Sequence, residues 1–136
     1  MFKLFKSKKA GNLSDKEVGL ALGGGSVLGA AHIGVLRAIT EEEISIKYVA
    51  GTSIGSFVGS LFAFGKNWEE IKDIALELDW LDISSMSLSQ FSLFSNKRIE
   101  EIFEKHIGDV NIEEAKIPLN IVATDINRGK RVVMKH

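Results

Sequence analysis

The chain has 136 residues, which is enough for one modest hydrophobic core and too few for two. Its net charge of −1 gives no general reason to expect nucleic-acid binding, and the absence of cysteine excludes disulfides, thiolate metal sites and cysteine nucleophiles. No stretch approaches the roughly eighteen uninterrupted apolar residues of a transmembrane helix. We therefore expect a cytoplasmic protein with a single domain.

The first ten residues are the most basic part of the chain. They contain four lysines and no acidic residue, so the remainder carries a net charge of −5 from 13 basic and 18 acidic residues. No apolar segment follows, so we expect no signal peptide. We predict a flexible arm over residues 1–15. Two interpretations remain open: a solvated tail, or peripheral membrane contact through Phe2, Leu4 and Phe5.

Apolar runs and helical spacing alternate in the first half of the chain. Residues 17–24 form a short apolar run that ends in glycines and predicts a buried strand, and apolar residues at helical spacing follow from Val27 to Ile39. Residues 46–52 predict a second strand, and the helical stretch after it ends at Gly65. The order is therefore strand, helix, strand, helix.

The second half continues this alternation. The predicted elements are a helix over 68–81 with Asn67 as its N-cap, a Ser-rich loop over 83–94, a helix over 96–108, and strands over 117–126 and 131–135. This order predicts an α/β fold with a central, mainly parallel sheet flanked by helices. No closing helix follows the last strand, so we expect residues 16–136 to be the first part of a domain, truncated at the C-terminus.

Ser53 lies between Gly51 and Gly55 in a G-x-S-x-G pattern, after a predicted strand and before a predicted helix. In a strand–turn–helix elbow the serine has a strained backbone that projects its hydroxyl. The residues two before and two after it approach so closely that a Cβ would clash. This context predicts that Ser53 is a nucleophile. The alternative is an N-cap serine in a tight turn.

A second glycine-rich turn runs from Gly23 to Gly29, also between a strand and a helix. A dinucleotide-binding fingerprint does not fit, because Leu28 stands where its third glycine would fall and no acidic residue ends the second strand. A phosphate-binding P-loop does not fit either, because Gly-Lys-Ser/Thr is absent. The remaining interpretation is an oxyanion hole.

Such a hole would use the backbone N–H groups of Gly24, Gly25 and Ser26. Acyl transfer by Ser53 would need donors of this kind, so the two turns explain each other as parts of one site.

Other candidate residues have simpler explanations. A histidine packed on its helix accounts for His32 better than catalysis does, although His32 follows the oxyanion turn closely. His106 and His136 have no partners at ligand spacing, so we predict no metal site and no cofactor. The apolar residues within 80–94 could either cover an acyl-chain pocket or pack onto the core.

Three sequence blocks resemble bacterial patatin-like phospholipases in their order and spacing. These blocks are residues 19–39, 49–56 and 117–133. The resemblance extends from about residue 17 to the last residue, and it implies a three-layer α/β fold and a lipid acyl hydrolase with a Ser–Asp dyad. By this resemblance Ser53 is the nucleophile, Gly24 to Ser26 form the oxyanion hole, and the aspartate lies in an Asp-Gly-Gly or Asp-Gly-Ala motif.

The chain departs from this pattern in three ways. It contains no Asp-Gly pair, so the catalytic aspartate is absent, and Asp125 matches a position usually regarded as structural. Leu28 stands where the family usually has Arg or Lys, and Ser26 where glycine is common.

We therefore predict a lipid or ester acyl hydrolase whose 136-residue chain has little turnover by itself and tends to self-associate. The alternative is a non-catalytic lipid-binding or regulatory protein built on a truncated patatin-like domain.

Overall fold

The computed structural model describes residues 17–77 and 88–135. Its strands and helices are β1 (Val18–Leu22), α1 (Ala30–Glu41), β2 (Ile46–Gly51), α2 (Ile54–Ala63), α3 (Trp68–Glu77), α4 (Leu88–His106), β3 (Leu119–Asp125) and β4 (Lys130–Lys135). Short 3-10 turns cover Ser26–Gly29 and Ile112–Glu114. The predicted basic arm lies outside the described residues.

The four strands form one sheet in the order β1-β2-β3-β4. β1, β2 and β3 are parallel, and β4 returns antiparallel to β3 as a hairpin. The predicted α/β fold with a mainly parallel sheet is therefore confirmed. In the register, Leu22 pairs with Gly51 and Gly51 with Ile121. The segments that follow β1 and β2 consequently begin at the same edge of the sheet.

Helix α2 lies at the centre of the hydrophobic core. Its sequence is apolar on all sides, and eight of its ten residues are buried, as expected for a helix enclosed by other elements. A Cβ added to Gly59 would lie 3.0 Å from Val49 Cγ1, so the helix packs tightly on β2. Leu36 of α1 and Ile71 of α3 belong to the same buried cluster. The core thus holds α2, and the segment just before it, against the sheet.

Asn67 caps α3 as predicted. Its side-chain Oδ1 accepts a hydrogen bond from the Glu70 backbone N–H at 2.8 Å, and the Glu70 carboxylate accepts one from the Asn67 N–H at 2.9 Å. This reciprocal pair is a capping box. The Asn67 N–H lowers the pKa of Glu70, with a smaller contribution from Lys66.

The predicted loop over 83–94 is wrong for residues 88–94, which form the first part of α4. Leu88, Phe91 and Phe94 recur every three residues, close to a helical repeat, but the intervening serines resemble a loop composition. The side chains of residues 88–96 and all of residues 78–87 lie outside the described part. The pocket-cover and core-packing interpretations both stay predictions.

The β4 strand is exposed along its whole length, including Val132, Val133 and Met134 at 41–44% exposure. Within residues 17–77 and 88–135, no helix is both long enough and apolar enough to cross a membrane.

Candidate active site

Ser53 occupies the turn between β2 and α2 with an unusual backbone conformation. Its φ of 52° and ψ of −131° lie in a region that side-chain-bearing residues rarely adopt. In the described part of the chain, Glu43 is the only other non-glycine residue with a positive φ. Such a conformation costs about 1–3 kcal/mol, and it persists only where the surrounding structure imposes it.

The carbonyl of Ser53, and not its hydroxyl, holds the start of α2. The carbonyl oxygen accepts hydrogen bonds from the Ser56 N–H at 2.8 Å and the Ser56 hydroxyl at 2.5 Å. The Ser53 side chain forms no capping hydrogen bond and is exposed. Ser53 therefore occupies the N-cap position of α2 without a side-chain capping bond. Its hydroxyl is left at the N-terminus of the helix, where the helix dipole favours negative charge.

The glycines on either side of Ser53 are required by close packing. A Cβ on Gly51 would lie 2.5 Å from Ser56 Cα and 2.6 Å from the Gly55 carbonyl oxygen. A Cβ on Gly55 would overlap the carbonyl oxygens of Leu22 and Gly23. This steric requirement is the one that the G-x-S-x-G pattern predicts.

The glycine-rich turn after β1 lies directly against Ser53. The Thr52 N–H donates to the Leu22 carbonyl at 3.2 Å, which joins the two turns. A Cβ on Gly24 would lie 3.3 Å from Ser53 Cβ and 3.9 Å from Ser53 Oγ. The two turns predicted to form one site are therefore neighbours, and the missing side chain at Gly24 leaves the serine hydroxyl open on that side.

Two backbone amides of this turn, those of Gly24 and Gly25, are open to a ligand as far as the described residues show. Gly25 has a φ of 151°, and its carbonyl accepts from the Leu28 N–H at 3.0 Å, which closes the turn. Within the described residues, the N–H groups of Gly24 and Gly25 have no protein acceptor. Ser26 begins the 3-10 turn, and its side chain lies outside the described part.

Gly29 ends the 3-10 turn and packs on the helix behind the serine. A Cβ added there would overlap Cγ1 of Ile54 and lie 2.9 Å from its Cγ2. The predicted glycine-rich turn therefore needs its last glycine to sit against α2. Leu28, one residue earlier, is 74% exposed, so an apolar side chain projects into solvent beside the turn.

Thr52 is a supporting residue that the sequence did not reveal. Its hydroxyl donates to the Val122 carbonyl at 3.0 Å and so fastens the serine turn to β3. These residues are 70 positions apart, so only the sheet order brings them together. The sequence offered one indication of this role: Thr52 is a polar residue at the end of a buried strand, next to a candidate nucleophile.

His32 contacts the glycine-rich turn. Its Nε2 lies 2.9 Å from the Gly23 carbonyl oxygen. A carbonyl oxygen can only accept, so Nε2 carries the hydrogen and acts as the donor. The ring is hydrogen-bonded, as predicted for a satisfied histidine, but its partner lies in the glycine-rich turn and not on its own helix.

Asp125 has a structural role in the β3–β4 turn, as predicted. Its Oδ1 accepts hydrogen bonds from the Asn127 N–H at 3.0 Å and the Arg128 N–H at 3.2 Å. Its Oδ2 lies 3.7 Å from the Arg128 guanidinium. Both carboxylate oxygens are engaged in closing the hairpin.

In the part of the chain that the structure describes, no three His, Asp or Glu side chains cluster as metal ligands would.

A second ionic cluster joins the ends of α3 and α4. Glu77 accepts from Lys105 Nζ at 2.8 Å and lies 3.0 Å from His106 Nε2. The hydrogen bond from Lys105, followed by that from His106, lowers the pKa of Glu77. His106 therefore helps to link the end of α3 to the end of α4 through Glu77.

Comparison with known proteins agrees with this geometry. The profile of the patatin-like phospholipase family matches residues 20–135. The chain is similar to the neuropathy target esterase sws of three flies. Identity is 36% for Drosophila persimilis, 36% for Drosophila pseudoobscura pseudoobscura and 35% for Drosophila melanogaster, in each case over 88% of this chain. The chain spans only 8–9% of the length of these relatives. The family profile covers the sheet and both glycine turns, and the chain therefore belongs to the patatin-like phospholipase family.

Proposed function

We propose that the protein is a lipid or ester acyl hydrolase in which Ser53 is the nucleophile and the N–H groups of Gly24 and Gly25 bind the oxyanion. The observation that carries this proposal is the strained, exposed Ser53 beside a turn in which the amides of Gly24 and Gly25 have no acceptor among the described residues. Membership of a phospholipase family supports a lipid substrate. The name of the fly relatives, an esterase, supports ester chemistry.

In the proposed reaction, Ser53 Oγ attacks the ester carbonyl carbon and its proton passes to a general base. The carbonyl oxygen gains negative charge and is held by the two glycine amides. Each donor of this kind raises the reaction rate by about 10²–10³-fold. The C–O bond to the alcohol breaks, the alcohol leaves with a proton, and water then hydrolyses the acyl-serine ester. Ser26 is the third proposed donor, as expected from the sequence.

The general base is the missing part of this proposal. The family resemblance assigns it to an aspartate in an Asp-Gly-Gly or Asp-Gly-Ala motif, and residues 1–136 contain no Asp-Gly pair. Without a base the serine stays a neutral and weak nucleophile. Oxyanion stabilisation and substrate binding alone give a reaction rate about 10³–10⁴ times the uncatalysed rate. We therefore propose that residues 1–136 alone have little turnover.

A second candidate function is a non-catalytic lipid-binding or regulatory protein. A complete protein without an Asp-Gly pair would favour this candidate, because the patatin-like domain could persist without the dyad. A natural chain that continues into an Asp-Gly-Gly or Asp-Gly-Ala motif would favour the hydrolase. The bacterial affiliation, the membrane-contacting arm and self-association stay predictions.

The proposed nucleophile is tested with a fluorophosphonate probe on the full-length protein. Ser53 should be labelled, and Ser53→Ala should abolish labelling. Ser45→Ala is a matched control, because Ser45 is also exposed but lies before β2, at the opposite end of the strand. Labelling that persists in Ser53→Ala would refute the assignment. A wild-type protein that carries the aspartate and is not labelled would favour the non-catalytic candidate.

A further inference from the structure

The contact between His32 and the turn after β1 reaches back over nine residues. His32 lies in the first turn of α1, and its Nε2–H donates to the Gly23 carbonyl at 2.9 Å. Gly23 is the first of three successive glycines, which have the widest backbone freedom of any residue type. A peptide plane between glycines rotates easily unless something holds it.

The orientation of the Gly23 carbonyl decides the orientation of the Gly24 N–H. Both belong to one peptide unit, and the described residues contain no cis peptide bond. In a trans peptide the C=O and N–H groups point in opposite directions. A hydrogen bond that fixes the carbonyl therefore also fixes the direction of the amide of Gly24.

The other end of this peptide unit lies beside the proposed nucleophile. Gly24 lies against Ser53, and its N–H has no protein acceptor among the described residues. The Gly23 carbonyl also packs against Gly55, where an added Cβ would overlap it. The imidazole and Gly55 together hold the carbonyl on the side away from the free amide.

We infer that His32 is a positioning residue that holds the Gly23–Gly24 peptide so that the Gly24 N–H is directed at the oxyanion. This inference rests on the proposed function of Ser53. A role for Nε2 as general base does not fit, because that nitrogen already donates its hydrogen to a carbonyl. His32 acts on the reaction through the turn and not through the serine.

The expected loss of activity in a His32 variant follows from the proposed role of the Gly24 N–H in binding the oxyanion. Complete removal of one oxyanion donor costs about 10²–10³ in kcat. Loss of the His32 bond leaves the amide present but free to rotate, so His32→Leu should lower kcat by about 10–100-fold. KM should change by less than about threefold, because the interaction develops mainly in the transition state.

The test compares His32→Leu with His32→Gln in the full-length protein, with p-nitrophenyl butyrate as substrate. The Gln amide nitrogen can donate from nearly the same place as Nε2, so His32→Gln should restore kcat to within about threefold of wild type. His106→Leu is the matched control, because His106 bonds to Glu77 at the far ends of α3 and α4. Two results would overturn the inference: a His32→Leu kcat within twofold of wild type, or a His32→Gln loss as large as that of His32→Leu.

A second readout separates this inference from the proposed function. If wild type and Ser53→Ala are equally inactive, the proposed function fails, and the His32 contact is then judged by nitrogen-15 NMR alone. The imidazole should carry its hydrogen on Nε2. The Gly24 amide resonance should shift or broaden in His32→Leu and keep its wild-type position in His32→Gln. An imidazole with its hydrogen only on Nδ1, or an unchanged Gly24 amide in His32→Leu, would overturn the positioning role.

Discussion

The substitution Gly24→Ala should separate folding from reactivity at the proposed site. The new Cβ would lie 3.3 Å from Ser53 Cβ, which is a few tenths of an ångström inside the usual carbon–carbon contact distance of about 3.5–4.0 Å. An overlap of this size can be relieved by a small shift of the turn, so we expect the free energy of unfolding to fall by no more than about 1–2 kcal/mol.

The effect of Gly24→Ala on the reaction rate should be larger than its effect on stability. The same methyl group would lie 3.9 Å from Ser53 Oγ, beside the place that the proposed function assigns to the substrate oxygen. Blocking that position is equivalent to losing one oxyanion donor, which costs about 10²–10³ in rate or about 2.7–4 kcal/mol.

The assay measures two quantities for Gly24→Ala in the full-length protein: the rate of fluorophosphonate labelling and the urea midpoint followed by circular dichroism. Gly34→Ala is the control, because a Cβ at Gly34 meets nothing within 4 Å and alanine favours a helix by about 1 kcal/mol. The control should label at the wild-type rate and be slightly more stable. A folded Gly24→Ala protein that labels within twofold of wild type would refute the proposed role of this turn.

Two further predictions concern stability. Gly55→Ala should destabilise the domain by more than about 3 kcal/mol, because its Cβ would overlap backbone atoms that cannot move independently; a urea midpoint equal to that of wild type would contradict this packing. Acid should weaken the contact between α3 and α4. The pKa of Glu77 is lowered in the folded state by Lys105 and His106. The ionised Glu77 carboxylate therefore stabilises the fold above its ordinary pKa of 4.5, and this stabilisation is lost as the pH falls through the lowered pKa. Thermal midpoints of wild type and Glu77→Gln should therefore differ at pH 6 and converge near pH 3, whereas Glu101→Gln, at an exposed position, should follow wild type throughout.

Local patterns predicted the parts of this domain that depend on local physics. The alternation of apolar runs and helical spacing predicted the sheet and its helices. G-x-S-x-G predicted the elbow, where Gly51 is required by Ser56 and Gly55 a few residues away, although Gly55 is required by the carbonyls of Leu22 and Gly23 in the turn after β1. The capping pair of Asn67 and Glu70 is local in the same sense.

Contacts between distant segments could not be predicted in this way. The bond from Thr52 to Val122 depends on which strand lies beside β2, and this follows from the assembled sheet. The start of α4 was missed because serine is common both in loops and in helices whose packing is decided elsewhere. The partner of His32 was missed because nothing in its spacing distinguishes a bond to a backbone carbonyl from a packed ring.

The hydrogen bonds around Ser53 have a consequence for how this domain can change over evolutionary time. Helix α2 is anchored by the carbonyl of Ser53 and by the side chain of Ser56, and the hydroxyl of Ser53 contributes nothing to that anchoring. The proposed nucleophilic role of Ser53 and the anchoring of α2 therefore depend on different atoms of this residue. If Ser53 is the nucleophile, as proposed, its exchange for alanine would remove turnover in a single mutation and leave a scaffold on which a binding or regulatory role could be selected.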